Sequence, residues 1–193
     1  MREVRCDSEG LAAAAALLNS GGVAVIPTDT VYGLAAHPGF PAAVERLYSI
    51  KGREAKKPIA LLAADAAAAE RFLGGRLPPG AEELARCHWP GALTLVLPVK
   101  DGSRFEGLRV PDHAWTRLLL AACGGVLRVT SANLSGCRPA TDAPTALADV
   151  GLSADIVVDD GISPGGTAST VVKIDASGGK TVLRQGPITI RAT

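Results

Sequence analysis

The stretch Val23-Ala24-Val25-Ile26-Pro27-Thr28-Asp29-Thr30-Val31-Tyr32-Gly33-Leu34 decides how the rest of the chain is read. Four apolar residues in a row, Val23 to Ile26, suit a short strand buried on both faces. Pro27 lacks an amide hydrogen and ends that strand. The loop that follows crowds two threonines, a carboxylate and a tyrosine into a strand end, and strand ends are where α/β sheets bind ligands. An ordinary turn rich in β-branched residues would use the same residues.

On the N-terminal side, Ser8-Glu9 and the apolar run over 11–19, closed by Gly21-Gly22, predict a capped helix ending at glycine. On the C-terminal side, Pro41 fits the first turn of a helix through Tyr48. Residues 59–62 read as a strand and the alanine-rich 65–73 as a helix. Pro78-Pro79-Gly80 predicts a turn, with a short helix over 81–86. A strand over 93–97 should stop at Pro98, and Asp112 should cap a helix through Cys123. Further strands fall at 126–130, 156–158, 169–174 and 181–183. Strands alternate with helices early and follow one another late. That order predicts an α/β fold whose sheet mixes parallel and antiparallel strands.

With 193 residues, one domain over 1–193 is expected, and 47% apolar against 20% charged residues excludes a dominantly disordered chain. The net charge of +1 gives no bulk attraction to nucleic acid or membrane, so any anion site must be local. No apolar run reaches the roughly 20 residues of a membrane span. No secretory leader is evident at the N-terminus. Cys6, Cys87, Cys123 and Cys137 form no C-x-x-C pair, which suits a reduced, cytoplasmic setting. His37, His88 and His113 are isolated, so no protein-bound metal is expected. Walker A, Rossmann and G-x-S-x-G patterns are all absent.

Other segments carry candidate chemistry. Lys51-Gly52-Arg53-Glu54-Ala55-Lys56-Lys57-Pro58 packs four cations against one anion, which suits phosphate or a solvated basic face. Thr130-Ser131-Ala132-Asn133-Leu134-Ser135-Gly136 follows a buried strand and offers hydroxyl, amide and loop N–H groups. Ser169-Thr170 opens a strand, and Arg184-Gln185-Gly186 lies near the end. Arg109, in Leu108-Arg109-Val110-Pro111, is a single cation on an apolar strand, so an anionic partner is expected: a structural carboxylate or a ligand carboxylate.

Taken in order, and together with Trp89-Pro90-Gly91-Ala92-Leu93-Thr94 and Arg109-Val110-Pro111-Asp112-His113, these segments resemble the YrdC family of L-threonylcarbamoyladenylate synthases. The resemblance runs from about Gly21 to Pro187. It implies an open, twisted α/β sheet. It also implies condensation of L-threonine, bicarbonate and ATP to threonylcarbamoyl-AMP and pyrophosphate, with Mg²⁺ accompanying the ATP. A downstream transferase complex would place the threonylcarbamoyl group on ANN-decoding tRNA, and the chain itself would have some affinity for tRNA.

Carried over by position, the resemblance implies that Thr28, Thr30, Tyr32, Arg109 and Ser169 hold threonine. It implies that Lys51 and Arg53 hold the ATP phosphates as the catalytic cations, and that Ser131, Asn133, Ser135 and Arg184 serve the nucleotide. Two departures stand out. Many relatives have a histidine shortly after the Lys-Pro pair, where this chain reads Ile59-Ala60-Leu61-Leu62-Ala63, and Glu54 stands where relatives often have proline. An RNA-binding module and a carbamoyl-transfer module remain competing readings, the latter normally found with further domains.

Overall fold

The computed structural model describes residues 1–52, 58–150, 153–175 and 177–190. The first half holds β1 (Arg2–Arg5), α1 (Ser8–Leu18), β2 (Val23–Ile26), β3 (Gly33–Ala36), α2 (Pro41–Lys51), β4 (Leu61–Ala63), α3 (Ala66–Leu73) and α4 (Pro79–His88). The second holds β5 (Leu93–Pro98), β6 (Phe105–Arg109), α5 (Ala114–Ala122), β7 (Val126–Ser131), α6 (Ala143–Val150), β8 (Ile156–Asp159), β9 (Thr170–Ile174) and β10 (Lys180–Arg184). The strands join in one sheet of order β1-β8-β2-β3-β7-β4-β6-β5-β9-β10. Pairs β1–β8, β2–β8, β4–β6 and β5–β9 are parallel, and the others antiparallel. The mixed sheet is thus the one expected. No helix of the described residues is long and apolar enough to cross a membrane.

Several boundaries differ from the sequence reading. Asp7, not Ser8, caps α1: its backbone is extended and its carboxylate accepts from the Gly10 amide at 2.8 Å. His113, not Asp112, caps α5, its Nδ1 facing the Thr116 amide at 3.2 Å. The expected turn at Pro79 is already helix, with Pro79 in the first turn where a missing N–H costs nothing. Strand β3 is Gly-Leu-Ala-Ala, poor in strand formers, yet all four residues are buried and paired on both sides. Tertiary context sets its conformation. Strand β1 and helix α6 likewise went unread.

Side chains alternate across the sheet, so register assigns every residue to a face. Leu34, Leu61, Leu95, Leu108 and Val172 fall on one face, which packs against α2, α6, α3 and α4. Ala24, Ile26, Leu62, Leu127 and Ile156 fall on the other, against α1 and α5. These two helices reach only the β8-β2-β3 end and its neighbours. Helix α5 also packs on Leu127 of β7 and Leu62 of β4, and the remainder of that face, over β6-β5-β9-β10, has no helix on it among the described residues.

A buried carboxylate ties the helix-covered face together. Glu106 accepts from Arg128 at 2.6 and 2.9 Å and from Arg104 at 2.9 Å. Burial pushes its pKa up, but the hydrogen bonds from Arg128 and then Arg104 outweigh burial and leave it below its ordinary 4.5. A lowered carboxylate pKa adds stability above the unfolded value and loses it as pH falls through the folded one. Glu106→Gln should therefore cost about 2–4 kcal/mol in urea unfolding near neutral pH. The gap to the parent should narrow as the pH is taken into the acid range below 4.5. A gap that stayed constant with pH would show that the charge carries none of it.

Candidate functional site

The loop after β2 folds on its own hydroxyls. Thr28 Oγ1 donates to the Val31 carbonyl at 2.7 Å and accepts from the Thr30 and Val31 amides at 3.2 and 3.3 Å. It lies 3.0 Å from Thr30 Oγ1. Since the single hydrogen of Thr28 is spent on Val31, Thr30 is the donor of that pair. Thr30 Oγ1 in turn accepts from Arg109 Nη1 at 2.8 Å. A directed chain thus runs from Arg109 through Thr30 and Thr28 to backbone.

Arg109 closes β6 with its side chain 7% exposed. Nε donates to the Gly91 carbonyl at 2.9 Å, and Nη2 pairs with Asp29 Oδ1. Of the two partners left open by the sequence, the structure supplies the structural carboxylate. Three of the five guanidinium hydrogens are used in these bonds, so two remain for a ligand. Burial lowers the Arg109 pKa, Asp29 raises it, and the nearby Arg184 lowers it further. Two guanidinium groups therefore share one small region.

Arg184, at the end of β10, donates from Nε to the Ser169 carbonyl at 3.0 Å and from Nη2 to Ser169 Oγ at 3.2 Å. Ser169 Oγ lies 2.8 Å from Thr94 Oγ1 of β5. Gly186 sits where a Cβ would come within 2.5 Å of the Ala168 carbonyl oxygen and the Thr170 amide. The Arg-Gln-Gly segment is therefore a close backbone dock rather than a plain turn. Gly165 plays the same part at the other side, where a Cβ would lie 2.6 Å from the Asp29 carbonyl oxygen.

The Ser131 loop is held from beneath. Lys51 is buried at the end of α2, and its Nζ donates to the carbonyls of Ser131 and Asn133, both at 2.6 Å, and to Ser131 Oγ at 3.3 Å. The Asn133 amide nitrogen donates to the Leu134 and Cys137 carbonyls at 2.7 and 2.9 Å, while its buried Oδ1 has no partner among the described residues. Tyr32 is fully buried, and its hydroxyl donates to the Gly161 carbonyl at 2.8 Å and accepts from the Asp160 amide at 3.0 Å. Burial pushes that phenol up to about 12.

These groups surround a cavity of about 440 Å³ on the bare face of the sheet. Its floor alternates along the strands as one face must: Thr94 and Val96, Phe105, Gly107 and Arg109, Val129 and Ser131, Ser169 and Val171. Of the residues singled out in the sequence, Thr28, Thr30, Tyr32, Arg109, Ser131, Ser169 and Arg184 line it. Lys51, Asn133 and Ser135 do not. Lys51 and Asn133 shape the loop that carries Ser131, and Ser135 is exposed, its amide bonded to the Lys51 carbonyl at 2.9 Å. Arg53, Glu54 and Lys57 lie outside the described residues. Sequence reasoning gave no role to Asp29 or Thr94. An acidic residue between two threonines, in a chain where Leu108 and Val110 flank Arg109, was the available signal for Asp29; Thr94 had none beyond its place in the Trp-Pro-Gly segment.

Comparison with known proteins agrees across the chain. The Sua5/YciO/YrdC family model, described as telomere recombination, matches residues 16–186. A putative threonylcarbamoyl-AMP synthase of Mycobacterium leprae is 36% identical, over 95% of this chain and 86% of that protein. The threonylcarbamoyl-AMP synthase of Bacillus subtilis is also 36% identical, over 97% of this chain, but this chain spans only 56% of its length. Among solved structures, Pyrococcus abyssi Sua5 complexed with L-threonine superposes with a TM-score of 0.85 at 30% identity, covering 96% of this chain and 56% of that one. Escherichia coli YciO, at 24% identity, shares the fold with a TM-score of 0.81 over 96% and 95%.

The buried pair makes a prediction of its own. Asp29→Ala leaves the Arg109 charge buried without its carboxylate and should cost about 3–5 kcal/mol. Thr30→Val, which removes one neutral acceptor, should cost about 1–2 kcal/mol. Urea denaturation of both variants checks the order; a smaller loss for Asp29→Ala would refute it.

Proposed function

The chain belongs to the Sua5/YciO/YrdC family, and from that premise we propose that it is an L-threonylcarbamoyladenylate synthase, condensing L-threonine, bicarbonate and ATP to threonylcarbamoyl-AMP and pyrophosphate. The observation that carries this reading is the convergence of two guanidinium groups and a row of hydroxyls in one cavity.

The reaction asks for such a site. The amine of threonine and bicarbonate give a carbamate, a C–O bond of bicarbonate breaking as water leaves. A carbamate oxygen then attacks the α-phosphorus of ATP, and the bond to pyrophosphate breaks. The attacking group is already an anion, so no serine or cysteine nucleophile is required. What the protein must do is hold two anions side by side against their repulsion.

In this reading Arg109 takes the threonine carboxylate with its two remaining N–H groups, held in place by Asp29, Thr30 and the Gly91 carbonyl. Thr30, Thr28 and Ser169 set the amino acid beside it. Tyr32 contributes its ring to the wall, since its hydroxyl is engaged by backbone. Arg184 and Ser131 meet the nucleotide. Lys51 and Arg53 are assigned to the phosphate end. Lys51 acts there as a positioning residue, fixing the Ser131 and Asn133 carbonyls so that the loop faces the nucleotide.

No carboxylate is among the residues lining the cavity, so the described side chains do not build a magnesium cage there. Magnesium is proposed only as the companion of ATP. The reading extends to tRNA as the later acceptor of the threonylcarbamoyl group, delivered through a transferase complex.

The test is pyrophosphate release by the purified protein, with threonine and bicarbonate each present or withheld. Release should need both, with threonylcarbamoyl-AMP seen by mass. Arg109→Lys keeps the charge but loses the fork, and should raise KM for threonine by about tenfold or more with little change for ATP. Arg184→Ala should act the other way round. Equal losses for both substrates in both folded variants would sink the assignment.

A further inference from the structure

Outside the cavity, three side chains far apart in sequence meet at the end of the sheet. Cys6 follows β1, Asp160 follows β8, and His113 opens α5. Strands β1 and β8 run in parallel register up to Arg5 opposite Asp159, and the Cys6 amide continues the ladder to the Asp159 carbonyl at 3.0 Å. The Cys6 and Asp160 side chains are thereby set together. His113 Nε2 lies 2.8 Å from Asp160 Oδ2. The sulfur, a ring nitrogen and a carboxylate oxygen all fall within 4.8 Å of one another.

A thiol, an imidazole and a carboxylate also suggest a nucleophilic triad, but the hydrogen bonds exclude it. The imidazole spends Nε2 on Asp160 and Nδ1 on Thr116, so neither nitrogen serves the thiol. Burial, a hydrogen bond to Asp160, and the charges of Asp160, Asp7 and Asp159 push the Cys6 thiol up to about 12. An activated nucleophile needs the opposite shift. The half-buried Cys6 sulfur, the His113 ring and the Asp160 carboxylate instead form three donors close enough for one cation to join.

We propose that Cys6, His113 and Asp160 form a binding site for a single zinc-class divalent ion, with water in the fourth position. The ligand set is one that zinc accepts in tetrahedral geometry. A shell behind the ligands is in place. Thr116 Oγ1 donates its hydrogen to the Pro27 carbonyl at 2.8 Å and lies 3.0 Å from His113 Nδ1. In the metal-free chain the Thr116 amide donates to Nδ1, so Nε2 carries the ring hydrogen; Thr116 Oγ1, its own hydrogen spent on Pro27, can accept from Nδ1–H once Nε2 is given to a metal. Asp7 and Asp159 carboxylates are engaged by the Gly10 and Gly161 amides and act by charge rather than as ligands. The Asp160 side chain is 43% exposed, so the ion has a route in. On binding, the Nε2 hydrogen moves to Nδ1 and the thiol hydrogen leaves to solvent, about one proton released per ion.

The site adjoins the cavity through one residue. The Asp160 amide and Gly161 carbonyl hold the Tyr32 hydroxyl, and Tyr32 lines the cavity wall. The zinc site stands on its own geometry whether or not the synthase reading holds.

The experiment is titration of the reduced full chain with Zn²⁺ against a chromophoric chelator, and with Co²⁺ followed by absorption. One ion per chain is expected, with a thiolate-to-cobalt charge-transfer band in the near ultraviolet. Cys6→Ser should abolish that band and weaken zinc by about tenfold to a hundredfold or more. His113→Asn keeps a helix-capping acceptor and should weaken zinc likewise. A Cys87→Ser/Cys137→Ser double variant, which removes the two exposed cysteines, should bind as the parent does. Failure of the parent to compete with the chelator would overturn the proposal. So would cobalt binding without the thiolate band, or binding that follows Cys87 and Cys137 rather than Cys6.

Discussion

A guanidinium buried at the end of a central strand is the constraint around which the cavity is built. Arg109 cannot be placed there without compensation, because a charge removed from water costs several kcal/mol unless it is paired and hydrogen-bonded. The structure answers with Asp29, Thr30 and the Gly91 carbonyl, drawn from two loops distant in sequence. Those contacts draw the loop after β2 against the end of β6. The loop's own hydroxyl chain then holds Thr28 and Thr30 in one arrangement. One buried cation thus orders half of the site wall.

The other half follows from uneven covering of the sheet. Four helices pack on one face, and α1 and α5 pack only on one end of the other. Strands β5 and β6 present Thr94 and Arg109, and the residue before β9 presents Ser169, to the face left bare, while Leu95, Leu108 and Val172 point into the opposite core. Alternation therefore does two jobs with one strand: the odd-numbered residues of β6 serve the cavity and the even-numbered ones the core. A bare sheet face lined by hydroxyls and arginine suits a reaction limited by charge repulsion between substrates, since pre-aimed donors need no rearrangement at the moment of reaction.

The cations of the site divide between direct and indirect work. Arg109 and Arg184 reach the cavity, whereas Lys51 is drawn under the Ser131 loop by two backbone carbonyls. A lysine in a basic run naturally reads as a phosphate ligand. Its buried position at the last turn of α2 gives it backbone oxygens within 2.6 Å. The charge still stands behind the loop, but its contact is with the loop itself.

The sequence alone determined the alternation of strands and helices, the mixed direction of the sheet, the family, and seven polar residues that line the cavity, Thr28, Thr30, Tyr32, Arg109, Ser131, Ser169 and Arg184. These are local or ordered signals: apolar runs, prolines and glycines at ends, and short segments in a fixed order. It did not reveal β1, β3 or α6, because four residues of Gly-Leu-Ala-Ala carry no strand preference until neighbours pair on both sides. Nor did it give Asp29 as the partner of Arg109, the two being 80 residues apart. The Cys6, His113 and Asp160 cluster was hidden for the same reason, since no ligand spacing survives when β1, α5 and β8 each supply one group. Spacing along the chain reports contacts within an element. Which strand ends meet is decided only by pairing register and by the burial of charge, and these belong to the tertiary structure.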